Sequence, residues 1–172
     1  MPPRILAFDP GASGGIAELY PNGTVSAFAM MDDSDLRDHV EAFIAAARMD
    51  EVRVVVFMEI VGGFIKVDGE NVGVGPGMFK FGDGNGYIRG LIDAARIERR
   101  MVLPKVWQTG IPGVRGVKEK AVRKRALKAH AARLFPTIKV TLKTADALCI
   151  ADYGRRLLAQ PVPALLEQPT LL

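Results

Sequence analysis

The sequence predicts an α/β fold, a five-stranded mixed sheet flanked by helices. Three features carry that expectation. Arg4–Asp9 (RILAFD) and Val52–Ile60 (VRVVVFMEI) are apolar runs of strand length, and the second is the pattern of a strand buried on both faces. Two further strand candidates lie on either side of Pro21-Asn22-Gly23, which has hairpin turn chemistry. The order β-β-β-α-β-α-β-α-α then joins a three-strand meander to strands that reach parallel neighbours through helices.

Taken in order, Arg4–Asp9 is followed by Gly15–Tyr20 and Thr24–Met31 to complete the meander. A helix is predicted from Asp33 or Ser34, either of which can cap it, through Leu36, Val40, Phe43, Ile44 and Ala47 at helical spacing. Val52–Ile60 is next. Gly62–Gly86 then holds nine glycines and a proline among Phe64, Phe79 and Phe81. That stretch is too glycine-rich for regular structure and too long for a routine connection, so a functional or mobile loop is expected. A helix over about Gly86–Ile97 leads to a short strand at Met101–Leu103 and a connector, Pro104–Gly116. Val117–Phe135 reads as a basic helix ended by Pro136. Its apolar stripe, Leu127, Ala131 and Leu134, is weak, and its cations spread around the remaining circumference. A last helix covers about Ala145–Leu158. Residues 1–160 are expected to form one domain and 161–172 an irregular tail.

The 172 residues suit one domain, and a domain of that size buries about 70% of its unfolded surface. At 49% hydrophobic and 24% charged, the composition excludes a disordered or collagen-like chain. No apolar run reaches the ~18 residues of a membrane span. No export signal is expected from Met-Pro-Pro-Arg-Ile-Leu, and the single Cys149 excludes an internal disulfide and a multi-cysteine zinc site. A reducing cytoplasm is the expected compartment.

The net charge of +4 hides an asymmetry. Arg99–Lys143 carries 13 Lys or Arg against the single acid Glu119, a balance of +12 that leaves −8 for the rest of the chain. A basic segment on an acidic body suits a polyanionic partner, since clustered Lys and Arg displace the counterions condensed on phosphates.

Three acids stand where chemistry is done. Asp9 ends one apolar strand before Pro10-Gly11-Ala12-Ser13-Gly14-Gly15, and Glu59 ends the other in the same manner. If those strands are parallel neighbours, their carboxylates sit at one sheet edge about 5 Å apart. At that separation they repel unless a cation lies between them or one is protonated. Asp146 falls in the first turn of the last helix, where the helix dipole favours a carboxylate. Alone, each reads as a turn, strand-end or helix-end charge. Together, with no His or Cys beside them, they suit Mg²⁺ or Mn²⁺. His39 and His130 have no evident partner.

These residues also carry a resemblance. Ile5-Leu6-Ala7-Phe8-Asp9-Pro10-Gly11, Met58-Glu59, Lys118-Glu119-Lys120-Ala121 and Ala145-Asp146-Ala147-Leu148-Cys149-Ile150-Ala151 resemble, in order and spacing, the RuvC-type Holliday junction resolvases of the RNase H-like superfamily. The resemblance covers about residues 4–154. Arg133-Leu134-Phe135-Pro136 and the stretch through Tyr153-Gly154 look closest to phage and plant chloroplast members. The resemblance implies an RNase H-like fold and a homodimeric crossover junction endodeoxyribonuclease that makes paired symmetric nicks in four-way branched DNA. It implies that Asp9, Glu59 and Asp146 hold two Mg²⁺ ions, with Mn²⁺ able to substitute, and that Lys120, assisted by Lys118, neutralises charge developing on the phosphate. DNA contacts are expected from Lys118, Lys120, Arg123, Lys124 and Lys143. An aromatic near Phe64 stacks on unpaired bases in that family, while Trp107 reads more simply as packing.

The chain departs from the family at Lys143, where a fourth acid usually stands one helical turn before Asp146. Asp152 lies ~240° around the helix from Asp146 and is a poor substitute, while Glu119 or Asp68 are other candidates. Three rival readings remain at this point. One is a junction-binding protein without catalysis. Another is an RNase H-like nuclease acting on RNA–DNA hybrid or structured RNA. The third is an ATP-binding domain of the actin and sugar-kinase type, which needs two related domains where this length supplies one.

Overall fold

Strands β1 (Arg4–Asp9), β2 (Gly15–Leu19) and β3 (Val25–Ala29) form the antiparallel meander, and β4 (Val54–Glu59) and β7 (Glu98–Val102) extend it in parallel on the other side of β1. The resulting five-stranded sheet has the order β3-β2-β1-β4-β7. This computed structural model describes residues 1–60, 65–67, 70–72 and 76–160. Short strands β5 (Ile65–Val67) and β6 (Glu70–Val72) pair as a separate antiparallel hairpin. The mixed, helix-covered sheet expected from the sequence is therefore present.

Period-two alternation divides the two long strands between two cores. Leu6, Phe8, Val54, Val56 and Met58 pack with Leu36, Val40, Phe43, Ile44 and Ala47 of α1 (Asp33–Met49) and with Ile88 and Ile92 of α2 (Pro76–Ala94). Ile5, Ala7, Val55 and Phe57 face the opposite core, with Leu127 and Ala131 of α4 (Lys120–Leu134) and most of α5 (Ala145–Ala159). Burial on both faces is the reason these strands read as unbroken apolar runs. Helix α5 lies so close on β4 that a Cβ at Gly154 would come within 2.6 Å of the Phe57 ring.

Several boundaries differ from the sequence reading. The cap of α1 is Asp32, whose side chain accepts from the Asp35 N–H at 3.0 Å, rather than Asp33 or Ser34. The glycine-rich stretch is not irregular throughout: it contains the β5–β6 hairpin, and α2 starts at Pro76, ten residues before the expected helix. Proline suits a first helical position. Each interior glycine costs a helix about 1 kcal/mol, but docking of the Ile88 and Ile92 face outweighs propensity. The connector holds a one-turn helix α3 (Pro104–Trp107), and the last strand spans Glu98–Val102 rather than Met101–Leu103. His39 has a partner after all, Glu18 Oε1 at 2.9 Å, on a glutamate that is buried in β2. Among the described residues no helix is long and apolar enough to cross a membrane. Phe64, Asp68 and the tail at 161–172 lie outside the described residues.

Candidate active site

The parallel register sets Phe8 opposite Met58, so the next residues, Asp9 and Glu59, end β1 and β4 side by side. The chain turns sharply after Asp9, with the Gly14 N–H donating to the Gly11 carbonyl at 2.9 Å. A Cβ at Gly14 would fall 2.0 Å from the Asp9 carbonyl oxygen, so only glycine lets the returning strand pass so close. Asp146, in the first turn of α5, completes the group and is buried. The preceding turn is fixed by Thr141 and Thr144: each side-chain oxygen accepts from the other residue's backbone N–H, at 3.0 and 3.2 Å.

A cation of the protein's own stands among these acids. Lys124 Nζ donates to Asp146 Oδ2 at 2.7 Å and lies 3.7 Å from Asp9 Oδ2. On Glu59, Oε2 accepts from the indole N–H of fully buried Trp107 at 3.0 Å. Trp107 reaches it because β7 ends level with Glu59, in the pair Glu59–Val102, and α3 follows at once.

The electrostatics are those of confined negative charge. Burial pushes the Asp9 pKa up to about 6 and the charge of Asp146 adds to it, while Lys124 and then Lys120 pull against it. Burial likewise pushes Glu59 up to about 7, reinforced by Asp9 and Asp146 and opposed by the Trp107 hydrogen bond and Lys124. For Lys124, burial disfavours the charge, but the Asp146 hydrogen bond and attraction to all three carboxylates outweigh it and raise the pKa.

The donor chemistry fits a hard divalent cation. Three carboxylates meet at one edge, and Asp146 Oδ1 is a buried acceptor with no hydrogen-bond partner among the described residues. They do not form a closed cage: among the described residues no three His, Cys, Asp or Glu side chains group as a ready metal site. The Lys124 ammonium is what stands between Asp9 and Asp146.

The structure thus brings together Asp9, Glu59, Asp146 and Lys124, with Lys120 near enough for its charge to act on Asp9. Lys118, Lys120 and Lys143 are exposed and Arg123 is half-buried. The Lys143 backbone packs against the turn into β2, its carbonyl 2.7 Å from where a Cβ on Gly15 would lie. Neither Asp152 nor Glu119 is paired into the group: Asp152 is bound by Arg155 and Arg156, and Glu119 is the exposed cap residue of α4. Trp107, an isolated tryptophan that reads as packing from the sequence, is also the partner of Glu59, 48 residues away in the chain. For Lys124 a signal was present: Lys120, Lys124, Leu127 and Ala131 share the spacing i, i+4, i+7, i+11, so the two lysines prolong the buried stripe of α4 beyond the sheet edge.

Comparison of whole folds finds RuvC of Thermus thermophilus in complex with a Holliday junction substrate, at a TM-score of 0.56 and 12% identity, covering 91% of this chain and 96% of that one. The fold is that of RuvC. A second Thermus thermophilus RuvC structure matches at a TM-score of 0.50 and 16% identity, over 92% of this chain and 99% of its own. No protein-family model and no curated protein matches the chain. The shared RuvC fold is the five-stranded mixed sheet with helices on both faces, an RNase H-like architecture.

Proposed function

We propose that this chain is a divalent-metal-dependent endonuclease that resolves four-way DNA junctions by paired symmetric nicks, acting as a homodimer. The observation that carries this reading is the convergence of Asp9, Glu59 and Asp146, with Asp146 Oδ1 buried and unpartnered, on a fold shared with a protein solved on a Holliday junction. Two-fold symmetric junctions favour a two-fold dimer.

Asp9, Glu59 and Asp146 would hold the cation. If bound there, Mg²⁺, or Mn²⁺ in its place, would polarise the scissile phosphate and lower the pKa of water so that the attacking hydroxide is available near neutral pH. Trp107 holds one Glu59 oxygen and leaves the other for the ion. Lys124 places a positive charge against the reacting phosphate in a half-buried setting, where it acts more strongly than in open water. Lys118, Lys120, Arg123 and Lys143 bind the flanking phosphates. Phe64, five residues past Glu59 in the sequence, is the residue assigned to stack on an unpaired base.

One observation favours a second reading, a junction binder that does not cut: the Lys124 ammonium already neutralises part of the cation position. Incubation with a synthetic four-way junction, a linear duplex and an RNA–DNA hybrid, with and without Mg²⁺, separates the readings. Paired nicks on the junction alone, requiring Mg²⁺, are expected. Tight binding without nicking establishes the silent binder, and preferential cleavage of the hybrid refutes the resolvase reading.

A further inference from the structure

The position of Lys124 bears on how many metal ions the centre takes. Two is the number implied by the family resemblance. In this chain, however, the space between Asp9 and Asp146 is spanned by an ammonium, 2.7 Å from Asp146 Oδ2 and 3.7 Å from Asp9 Oδ2. An ion bridging the two Oδ2 atoms would need the oxygens that Nζ already faces, and Nζ at such contact leaves no room for it there. The charges agree with the positions. When all three are ionised, Asp9, Glu59 and Asp146 carry three negative charges, Lys124 returns one, and the remaining two match a single divalent ion. The family's fourth acid, which would supply charge for a second ion, is Lys143 here, and the other nearby aspartate of α5, Asp152, is bound by Arg155 and Arg156. What remains for an ion is the buried, unpartnered Asp146 Oδ1 and the Asp9 and Glu59 oxygens not already bonded to Trp107 or Lys124.

We infer that the centre binds one divalent ion per chain, and that the Lys124 ammonium takes the place of the second. This rests on the nuclease reading and deepens it. Lys124 is held to that place by the fold rather than by chance of a surface side chain. It lies one turn from Leu127 on the stripe of α4 that packs into the core, and α4 is locked to α5 by the buried Leu127 and Ala131 and by the Cys149 thiol, which lies 3.8 Å from the Leu127 carbonyl. Losing that ammonium opens the Asp9–Asp146 position to a second ion, and an arginine there keeps it closed.

The test counts bound Mn²⁺ on the full chain by electron paramagnetic resonance of the free ion, without DNA and with no reference to turnover. The account expects one ion per chain in the wild type and in Lys124→Arg, and two in Lys124→Met. Lys124→Gln is a second neutral variant of different shape, so a folding defect in one does not remove the comparison. Two ions in the wild type overturn the inference, as does a count that stays at one in both neutral variants. The underlying reading fails differently: no bound ion in any variant, together with no metal-dependent nicking of a four-way junction, overturns the nuclease itself.

Discussion

Helix α5 buries two aspartates six residues apart, and they are neutralised in opposite ways. Asp152, its side chain 3% exposed, is gripped by arginines of its own helix, with Arg155 on Oδ1 at 2.5 Å and Arg156 on Oδ2 at 2.9 Å. Both oxygens are satisfied locally, and nothing further is asked of them. Asp146 receives one partner, Lys124, from a different helix, and its Oδ1 is left buried without one. It also shares its space with Asp9 and Glu59. An uncompensated buried acceptor costs about 1–3 kcal/mol and more when charged, so one left open beside two further carboxylates is a place where a bound cation would restore what burial costs. One end of α5 is scaffold. The other, on the function proposed above, is the end that takes the cation.

If that contrast is right, removing charge at the two ends has opposite consequences. The largest effect belongs to Asp9→Asn. It should lower junction cleavage about a thousandfold, because an ion's contribution to the transition state is several kcal/mol. The same variant should melt higher than wild type at pH 8 without metal, by about 1–2 kcal/mol, since an ionised Asp9 is disfavoured by burial and by Asp146. Thermal unfolding with chelator checks this, and a destabilised Asp9→Asn would break the comparison.

A smaller effect is readable as pH dependence. Asp9 at about 6 and Glu59 at about 7 both lie above their ordinary values of 3.8 and 4.5, so the folded chain holds these protons more tightly than the unfolded one. Unfolding therefore releases protons between about pH 4 and 7. This pair's contribution to stability is greatest at the acid end and falls as pH rises to about 7, by about 2 kcal/mol or more in total. Cleavage should move the other way, rising with pH as the carboxylates ionise and become free to bind the cation. Denaturant midpoints of metal-free wild type and Asp9→Asn across that window measure the difference, and a pair that instead stabilises with rising pH contradicts the assignment.

The smallest effect is at Trp107. Trp107→Phe keeps an aromatic side chain in the core and removes only the N–H that binds Glu59, at about 1 kcal/mol and about five- to tenfold in cleavage. An unchanged metal-binding midpoint would show that the hydrogen bond does not position Glu59.

Much of this was legible in the sequence, for particular reasons. Burial on both faces makes β1 and β4 continuous apolar runs, and carboxylates ending such runs stand out, so the sequence alone sets Asp9 and Glu59 at one edge. Helix α2 was obscured because its glycines contradict the helix that tertiary packing imposes through Ile88 and Ile92. Lys124 was hidden for a different reason. The inward stripe of α4 is short, and a lysine continuing it resembles any other cation on a basic helix until the sheet edge is known. The Trp107–Glu59 contact spans 48 residues of chain and leaves no local pattern at all.

The most direct test of the two-ended helix is single-turnover nicking of a four-way junction with Mg²⁺ by Asp146→Asn and Asp152→Asn, each with its melting curve. The account predicts that Asp146→Asn loses cleavage by at least about a hundredfold while remaining folded, and that Asp152→Asn loses about 2 kcal/mol of stability while keeping cleavage near the wild-type rate. Equal loss of cleavage in both variants, or retained cleavage in Asp146→Asn, would contradict it.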